Sequence, residues 1–147
     1  GAPTVYYGDE AGVCGFTDPD NRRTYPWGHE DKELIDFHKA AIKMHKENEV
    51  LRTGSYKQLY SAHNVIAYGR FTSDDAVIVV VNNGEDEIRV NIPAWETGLA
   101  MDDDVEQIMV TFEGGYSTDR QGYRLKDGIL NIGLRKTSAT VLRRLRW

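Results

Sequence analysis

The chain has 147 residues, of which 40% are hydrophobic and 28% charged, the composition of a globular protein with room for one ordinary domain. Its net charge of −5 gives no electrostatic support for a nucleic-acid partner. No apolar run approaches the roughly 20 residues that a membrane-spanning helix needs. The single cysteine, Cys14, excludes an internal disulfide and is compatible with a reducing compartment such as the cytoplasm.

The chain opens on a predicted β-strand, Pro3-Thr4-Val5-Tyr6-Tyr7, which ends at Gly8-Asp9-Glu10. A loop of about 20 residues follows, from about Ala11 to Glu30. Connections between a strand and a helix are ordinarily about 2–6 residues long, and loops as long as this one are usually functional. The loop is therefore the first candidate for a functional surface.

A helix is predicted from about Lys32 to Arg52, with Asp31 as its cap because a carboxylate can accept a bond from an early backbone N–H. Gly54 ends it. Residues at steps of three and four form one mainly apolar stripe: Leu34, Ile35, His38, Ala41, Ile42 and His45. The two histidines of this stripe are expected to pack against neighbours and not to bind a metal.

The pattern after Thr53-Gly54-Ser55 is almost entirely β. Strand 76–81 is apolar on both faces and should be central, whereas strand 88–92 alternates and should be half exposed. Short strands with turns about every 8–12 residues predict an antiparallel β-sandwich. The predicted strands are 65–71, 76–81, 88–92, 107–112, 123–125, 129–132 and 140–142.

The sequence thus predicts a mainly β fold with two parts. Residues 54–147 form the C-terminal β-sandwich domain, which is large enough to fold independently. Residues 1–53 hold one strand, one loop and one helix, which cannot make a core by themselves. Their order is that of one unit of a (β/α)8 barrel, in which the loops after the strands form the active face. Residues 1–53 are therefore expected to be the remnant of such a barrel, with residues 9–30 lining its active face.

Particular residues carry a family resemblance. The segment Gly1-Ala2-Pro3-Thr4-Val5-Tyr6-Tyr7-Gly8-Asp9-Glu10, followed by Asp18-Pro19-Asp20-Asn21-Arg22-Arg23 and Pro26-Trp27, resembles the last barrel strand and following loop of the α-amylase family of glycoside hydrolases. Its Asp-Pro-Asp-x-Arg loop is most similar to those of neopullulanases, cyclomaltodextrinases and maltogenic amylases. Residues 36–48 resemble the last barrel helix of that family, with Met44-His45 where Leu-Arg is common, and the sandwich resembles its C-terminal domain.

The resemblance implies an enzyme that acts on α-1,4-glucans or maltodextrins by a retaining mechanism. In such a mechanism one carboxylate attacks the anomeric carbon and a second protonates the leaving oxygen, the two lying about 5 Å apart, while a third stabilises the distorted sugar. The resemblance places these acids after the fourth, fifth and seventh barrel strands, upstream of residue 1. None maps onto this sequence, so the chain alone is expected to be inactive. Neither a cofactor nor a metal is expected.

The resemblance assigns Asp18 and Arg22 to the substrate, as contacts to sugar hydroxyls at its non-reducing end. A carboxylate that accepts from hydroxyls and a guanidinium that donates to them suit this task. The residues alone leave a structural alternative open, in which Asp18 caps a turn at Pro19 and Arg22 pairs with Asp20 to hold the loop.

Other charged groups are expected to be structural. Neighbouring strand residues point to opposite faces, so Asp9 and Glu10 cannot flank one bond and should instead bind loop backbone or a barrel arginine. Asp102-Asp103-Asp104 is interpreted as a solvated loop and not an ion site. The basic run at residues 143–146 is interpreted as a solvated face.

Two further functions stay open for the sandwich, a carbohydrate-binding module or a structural module that covers the flank of the barrel. A binding module needs exposed aromatic side chains, and the candidates are Tyr56, Tyr60, Tyr68, Trp95 and Tyr116. Residues 3–8 are apolar and β-prone, and without barrel neighbours they form an adhesive edge. This segment is predicted to be disordered, to fold back onto the sandwich, or to pair with a second copy of the chain.

Overall fold

The computed structural model describes residues 2–145. It divides into two compact units, with the boundary between Asn48 and Glu49. Whether residues 49–53 belong to the barrel remnant, as the sequence predicts, stays a prediction. Within the described part of the chain, no helix is both long and apolar enough to cross a membrane.

The first unit contains two one-turn 3₁₀ helices, Asp9–Ala11 and Asp20–Arg22, and helix α1, Lys32–Glu47. The predicted strand at residues 3–7 is absent, because no other segment within residues 2–145 pairs with its backbone as a strand. The side chains of Val5, Tyr6 and Tyr7 are exposed. The pairing of this segment with a second copy of the chain stays a prediction.

Helix α1 begins as the sequence predicts, because Asp31 Oδ1 accepts a hydrogen bond from Leu34 N at 2.9 Å. The predicted single helix to Arg52 is wrong. The backbone becomes extended at Asn48, whose side-chain Nδ2 donates to the Met44 carbonyl at 2.7 Å. Asn48 N donates to the same carbonyl at 3.2 Å, so this last bond of α1 is doubled, and a second short helix, α2, then covers Glu49–Thr53. Gly54 N donates to the Val50 carbonyl at 3.0 Å and ends α2.

The second unit is the predicted antiparallel β-sandwich. Its larger sheet has the order β1-β2-β3-β9-β5-β6, with β7 also paired to β5, and its smaller sheet pairs β4 with β8. The strands are β1 (Ser55–Ala62), β2 (Val65–Phe71), β3 (Ala76–Asn82), β4 (Ile88–Pro93), β5 (Asp104–Phe112), β6 (Gly115–Ser117), β7 (Gln121–Arg124), β8 (Ile129–Leu134) and β9 (Ser138–Arg144).

The core lies between the two sheets. Side chains from the larger sheet, such as Ile78 and Leu142, form one buried cluster with Ile92, Leu130 and Ile132 of the smaller sheet. Strand β3 lies inside the larger sheet with nearly every residue buried, which confirms the central position predicted for it. Strand β4 alternates between exposed and buried residues over much of its length, as predicted.

The sequence pattern missed strands β1 and β6. Strand β1 lies at the edge of the larger sheet, and Leu59 is its one buried residue, so it lacks an apolar alternation. Strand β6 has three residues and begins at Gly115. Both strands form because their backbones pair with β2 and β5 respectively. This pairing cannot be predicted from the pattern of their side chains.

The charged runs near the sheet ends form ion pairs, which the sequence did not predict. The Asp102 side chain is 81% exposed, as expected for a solvated loop, whereas the Arg143 and Arg144 side chains are 33% and 31% exposed. Arg124 binds Asp104 at 3.0 Å and Asp102 at 3.3 Å, and Arg144 binds Asp103 at 3.0 Å. Arg143 donates from Nη2 and Nε to Asp75 Oδ2 at 2.6 and 3.1 Å. The last arginine of the predicted basic run, at position 146, lies outside the described residues.

Replacing Asp75 by alanine is expected to lower the free energy of unfolding by about 1–3 kcal/mol in urea denaturation. The carboxylate is buried, also accepts from Ala76 N at 2.9 Å, and its removal leaves both donors without this acceptor. The matched control is Glu113→Ala, whose side chain is 74% exposed and pairs with Lys136 at 3.0 Å. That control should change stability by less than about 0.5 kcal/mol. Equal losses in the two variants would contradict the expectation.

Candidate functional site

The candidate site is the loop at residues 9–30, which begins with two carboxylates that bind the backbone just before it. Asp9 Oδ2 accepts from Tyr6 N at 3.0 Å, and Glu10 Oε2 accepts from Gly8 N at 3.1 Å. This confirms the predicted structural role. The geometric reason differs from the predicted one, because both residues lie in a 3₁₀ turn and not at the end of a strand.

The middle of the loop is anchored by Asp20. Arg23 donates from Nε and Nη2 to Asp20 Oδ1 at 3.0 and 2.7 Å, and Phe16 N donates to Asp20 Oδ2 at 3.0 Å. Hydrogen bonding by Arg23, and then by the Phe16 backbone, holds the pKa of the Asp20 carboxyl below its usual value. The Tyr7 hydroxyl donates to the Arg23 carbonyl at 3.0 Å. Asp20 therefore connects two points of the loop.

Asp18 and Arg22 are brought together on the surface of the same loop. Arg22 Nε lies 3.3 Å from Asp18 Oδ1, and the two side chains are 71% and 65% exposed. The predicted pairing of Arg22 with Asp20 is not formed, because Asp20 is bound by Arg23. The sequence analysis missed Arg23, although its spacing of three residues from Asp20 suits an ion pair. The structural role thus falls to Asp20 and Arg23.

Aromatic side chains accompany these charged groups. The rings of Tyr25 and Trp27 have centroids 4.6 Å apart, and the Trp27 and Phe16 side chains are largely exposed. Partial desolvation, followed by the nearby Glu10 carboxylate, raises the pKa of the Tyr25 hydroxyl. An exposed indole and an exposed phenyl ring on one polar loop can contact the apolar faces of a polyhydroxylated ligand.

Two further functional candidates, His38 and Cys14, each contact a nearby backbone carbonyl. His38 Nδ1 lies 2.9 Å from the Leu34 carbonyl, one helical turn earlier. Cys14 is exposed, and its thiol lies 3.6 Å from the Gly12 carbonyl. Within residues 2–145, no group of three or more His, Cys, Asp or Glu side chains is arranged to hold a metal ion.

The candidate aromatic platforms of the sandwich divide by exposure. Tyr60 packs against the core and Tyr116 is half-buried, whereas Tyr56 and Trp95 are exposed. Tyr56 and Tyr68 form a tilted pair with ring centroids 5.5 Å apart. Burial, and then the neighbouring Tyr56, raises the pKa of the Tyr68 hydroxyl.

No model of a known protein family matches the chain. It is 45% identical over 96 residues to the amylopullulanase of Thermoanaerobacter thermohydrosulfuricus, a match that covers 58% of this chain and 6% of that protein. It is 42% identical over 85 residues to the cyclomaltodextrinase of Thermoanaerobacter pseudethanolicus, covering 56% and 15%. It is 33% identical over 102 residues to neopullulanase 2 of Thermoactinomyces vulgaris, covering 67% and 17%. The chain thus spans less than a fifth of the length of these curated relatives.

Solved structures extend the similarity over nearly the whole chain. An Anoxybacillus α-amylase superposes with a TM-score of 0.77 and 25% identity, over 97% of this chain and 28% of that one. A debranching enzyme from Nostoc punctiforme superposes with a TM-score of 0.73 and 25% identity, over the same two fractions. In sequence and in fold, the chain is therefore related to the C-terminal part of α-amylase-family glycoside hydrolases, as its opening residues and its sandwich predicted.

Proposed function

We propose that the chain is part of a longer α-amylase-family enzyme that hydrolyses α-glucans or cyclic maltodextrins by a retaining mechanism, and that Asp18 and Arg22 contact the substrate. The observation that carries this proposal is the exposed Asp18–Arg22 pair on a long loop, in a chain similar to an amylopullulanase and a cyclomaltodextrinase. In that enzyme the loop at residues 9–30 lies on the active face of the barrel.

The contrast between the two ion pairs of the loop supports the assignment. Asp20 is engaged on both carboxylate oxygens and shapes the loop. Asp18 and Arg22 meet through one longer contact, and such an exposed pair contributes only about 0–1 kcal/mol to stability. Breaking this contact so that both side chains can bind a ligand therefore costs little free energy. The carboxylate then accepts from sugar hydroxyls and the guanidinium donates to them.

We further propose that the nucleophile, the general acid and the carboxylate that stabilises the distorted sugar come from other parts of the enzyme. Asp9, Glu10 and Asp20 each accept a hydrogen bond from a nearby backbone N–H group. A retaining nucleophile must instead face its partner acid across the glycosidic bond at about 5 Å. This chain supplies substrate contacts and the sandwich, and the chemical step belongs to the rest of the barrel.

The 147-residue chain alone is expected to release no reducing ends from maltotriose or β-cyclodextrin. The purified chain is incubated with each sugar, and reducing ends are compared with those of a buffer blank and of an active α-amylase as positive control. Turnover above the blank that copurifies with the chain through two chromatographic steps would overturn this part of the proposal.

In the longer enzyme, Asp18→Ala and Arg22→Ala are each expected to raise KM for maltotriose about tenfold, the loss of about 1.4 kcal/mol in substrate binding. The control is Glu47→Gln in the exposed Lys43–Glu47 pair of α1, which has the same spacing of four residues as Asp18–Arg22. It should leave KM within about twofold of the parent value. Unchanged KM in both loop variants would contradict the assignment.

The loop anchor is expected to open only in acid. Because the pKa of Asp20 is lower in the folded chain, the stabilisation is present above the ordinary aspartate pKa of about 3.9 and is lost as the pH falls through the lower folded value. Carbon-detected NMR of the Asp20 carboxyl should give a midpoint below about 3.9. The midpoint should rise in Arg23→Gln, and an unchanged midpoint in that variant would count against the Arg23 bond as the cause.

A further inference from the structure

Trp95 and Met101 form an exposed apolar pair on the surface of the sandwich. Their side chains are 48% and 58% exposed. Both close over Gly128, which is itself buried. A Cβ at this position would lie 2.7 Å from Trp95 Cβ and 2.9 Å from Met101 Sδ, so glycine is what lets the two side chains approach from either side.

The backbone beneath this pair is held on both sides. Trp95 N donates to the Gly128 carbonyl at 3.0 Å, and Gly128 N donates to the Met101 carbonyl at 2.8 Å. Trp95 stands in the 3₁₀ turn Ala94–Thr97, whose end residues Ala94 and Thr97 are buried while the indole points outward. The backbone that carries the indole is thus held by hydrogen bonds to Gly128 and by the buried ends of its turn.

The 3₁₀ turn is itself packed against the larger sheet. A Cβ at Gly69 of β2 would overlap Thr97 Cγ2, so the absence of a side chain there lets the turn lie directly on the strand. Thr97 Oγ1 donates to the Ala94 carbonyl at 2.7 Å and closes the turn from inside. A backbone that is held in this way need not be ordered when a ligand binds, which lowers the entropic cost of binding.

The size of the pair argues against a protein partner. An aromatic side chain buries about 150–250 Å² when it is covered completely, so half-exposed Trp95 with Met101 offers on the order of 200 Å². A stable protein interface needs about 800 Å² on each side. The pair suits a small ligand with one flat apolar face.

The rim of the pair is polar. Glu96, the next residue in the turn, accepts from Lys57 Nζ at 2.7 Å, and the Lys126 and Asp127 side chains are exposed beside Gly128. An apolar pair with charged residues next to it in the chain suits a pyranose ring, whose C–H face can stack on the indole while its hydroxyls bind polar groups.

We propose that Trp95 and Met101 form a glucan-binding platform on the sandwich, which holds one or two glucose units of an α-1,4-glucan and does not take part in the chemical step. The choice of glucose units rests on the proposed function. The geometry of the platform does not.

The test is a titration of the 147-residue chain with maltopentaose, followed by NMR of the tryptophan indole and methionine methyl signals. The Trp95 and Met101 signals should shift in a saturable way. Trp95→Ala should weaken binding at least about tenfold, whereas Trp95→Tyr, which keeps a ring, should retain most of it. The matched control is Tyr56→Ala, which removes another exposed aromatic side chain of the same unit, 60% exposed against 48% for Trp95, and should leave the affinity within about twofold.

Three results would overturn the platform. The first is the absence of a saturable shift at up to 20 mM sugar, roughly the weakest binding measurable in this way. The second is an equal loss of affinity in Trp95→Ala and Tyr56→Ala, and the third is binding that is lost in Asp18→Ala and unaffected in Trp95→Ala. The last result would leave the proposed function standing. Conversely, binding that depends on Trp95 would survive the failure of the Asp18 and Arg22 variants in the longer enzyme, so the two proposals can fail separately.

Discussion

The stability of the second unit depends on the packing of its small sheet against its large sheet. Two paired strands alone are marginally stable in water. Strands β4 and β8 persist because Ile92, Leu130 and Ile132, at most 1% exposed, enter the same cluster as the inner face of the larger sheet. Each such side chain stabilises the fold by about 1.5–3 kcal/mol. The surface turns at 94–97 and 126–129 adjoin these two strands, so their positions follow from this contact.

The charged residues of the sandwich are ordered by the same packing. Asp102-Asp103-Asp104 has one sign in sequence, yet each of these carboxylates is bound by an arginine of another strand. Arg143 lies in a basic run, yet it binds Asp75 across the sheet. Antiparallel pairing places the ends of distant strands side by side, so the three carboxylates of this run are bound by two arginines, Arg124 and Arg144. Net charge along the chain is therefore a poor guide to the charge of a surface patch.

The loop of the candidate site shows which contacts can be predicted from residue identity and which cannot. The motif around Asp18 and Arg22 could be recognised from the sequence, and the structure does bring these two side chains together. The distribution of roles among the neighbouring charges could not be recognised. Asp20 binds Arg23 because the 3₁₀ turn at residues 20–22 places Arg23 on the side of its carboxylate. Turn geometry decided the partner, whereas Arg22 was expected in that role from the sequence.

The sequence by itself determined the elements whose signal is local: the Asp31 cap of α1, the apolar centre of β3 and the alternation of β4, since burial of one face or both is written directly into neighbouring residues. Tertiary structure alone decided the edge strand β1 and the absence of a strand at residues 3–7, because strand formation depends on a pairing partner as much as on side chains. It also decided the platform of Trp95, Met101 and Gly128. These residues meet because β4 pairs with β8, so the turn after β4 lies beside the turn before β8. A local sequence pattern cannot predict this contact.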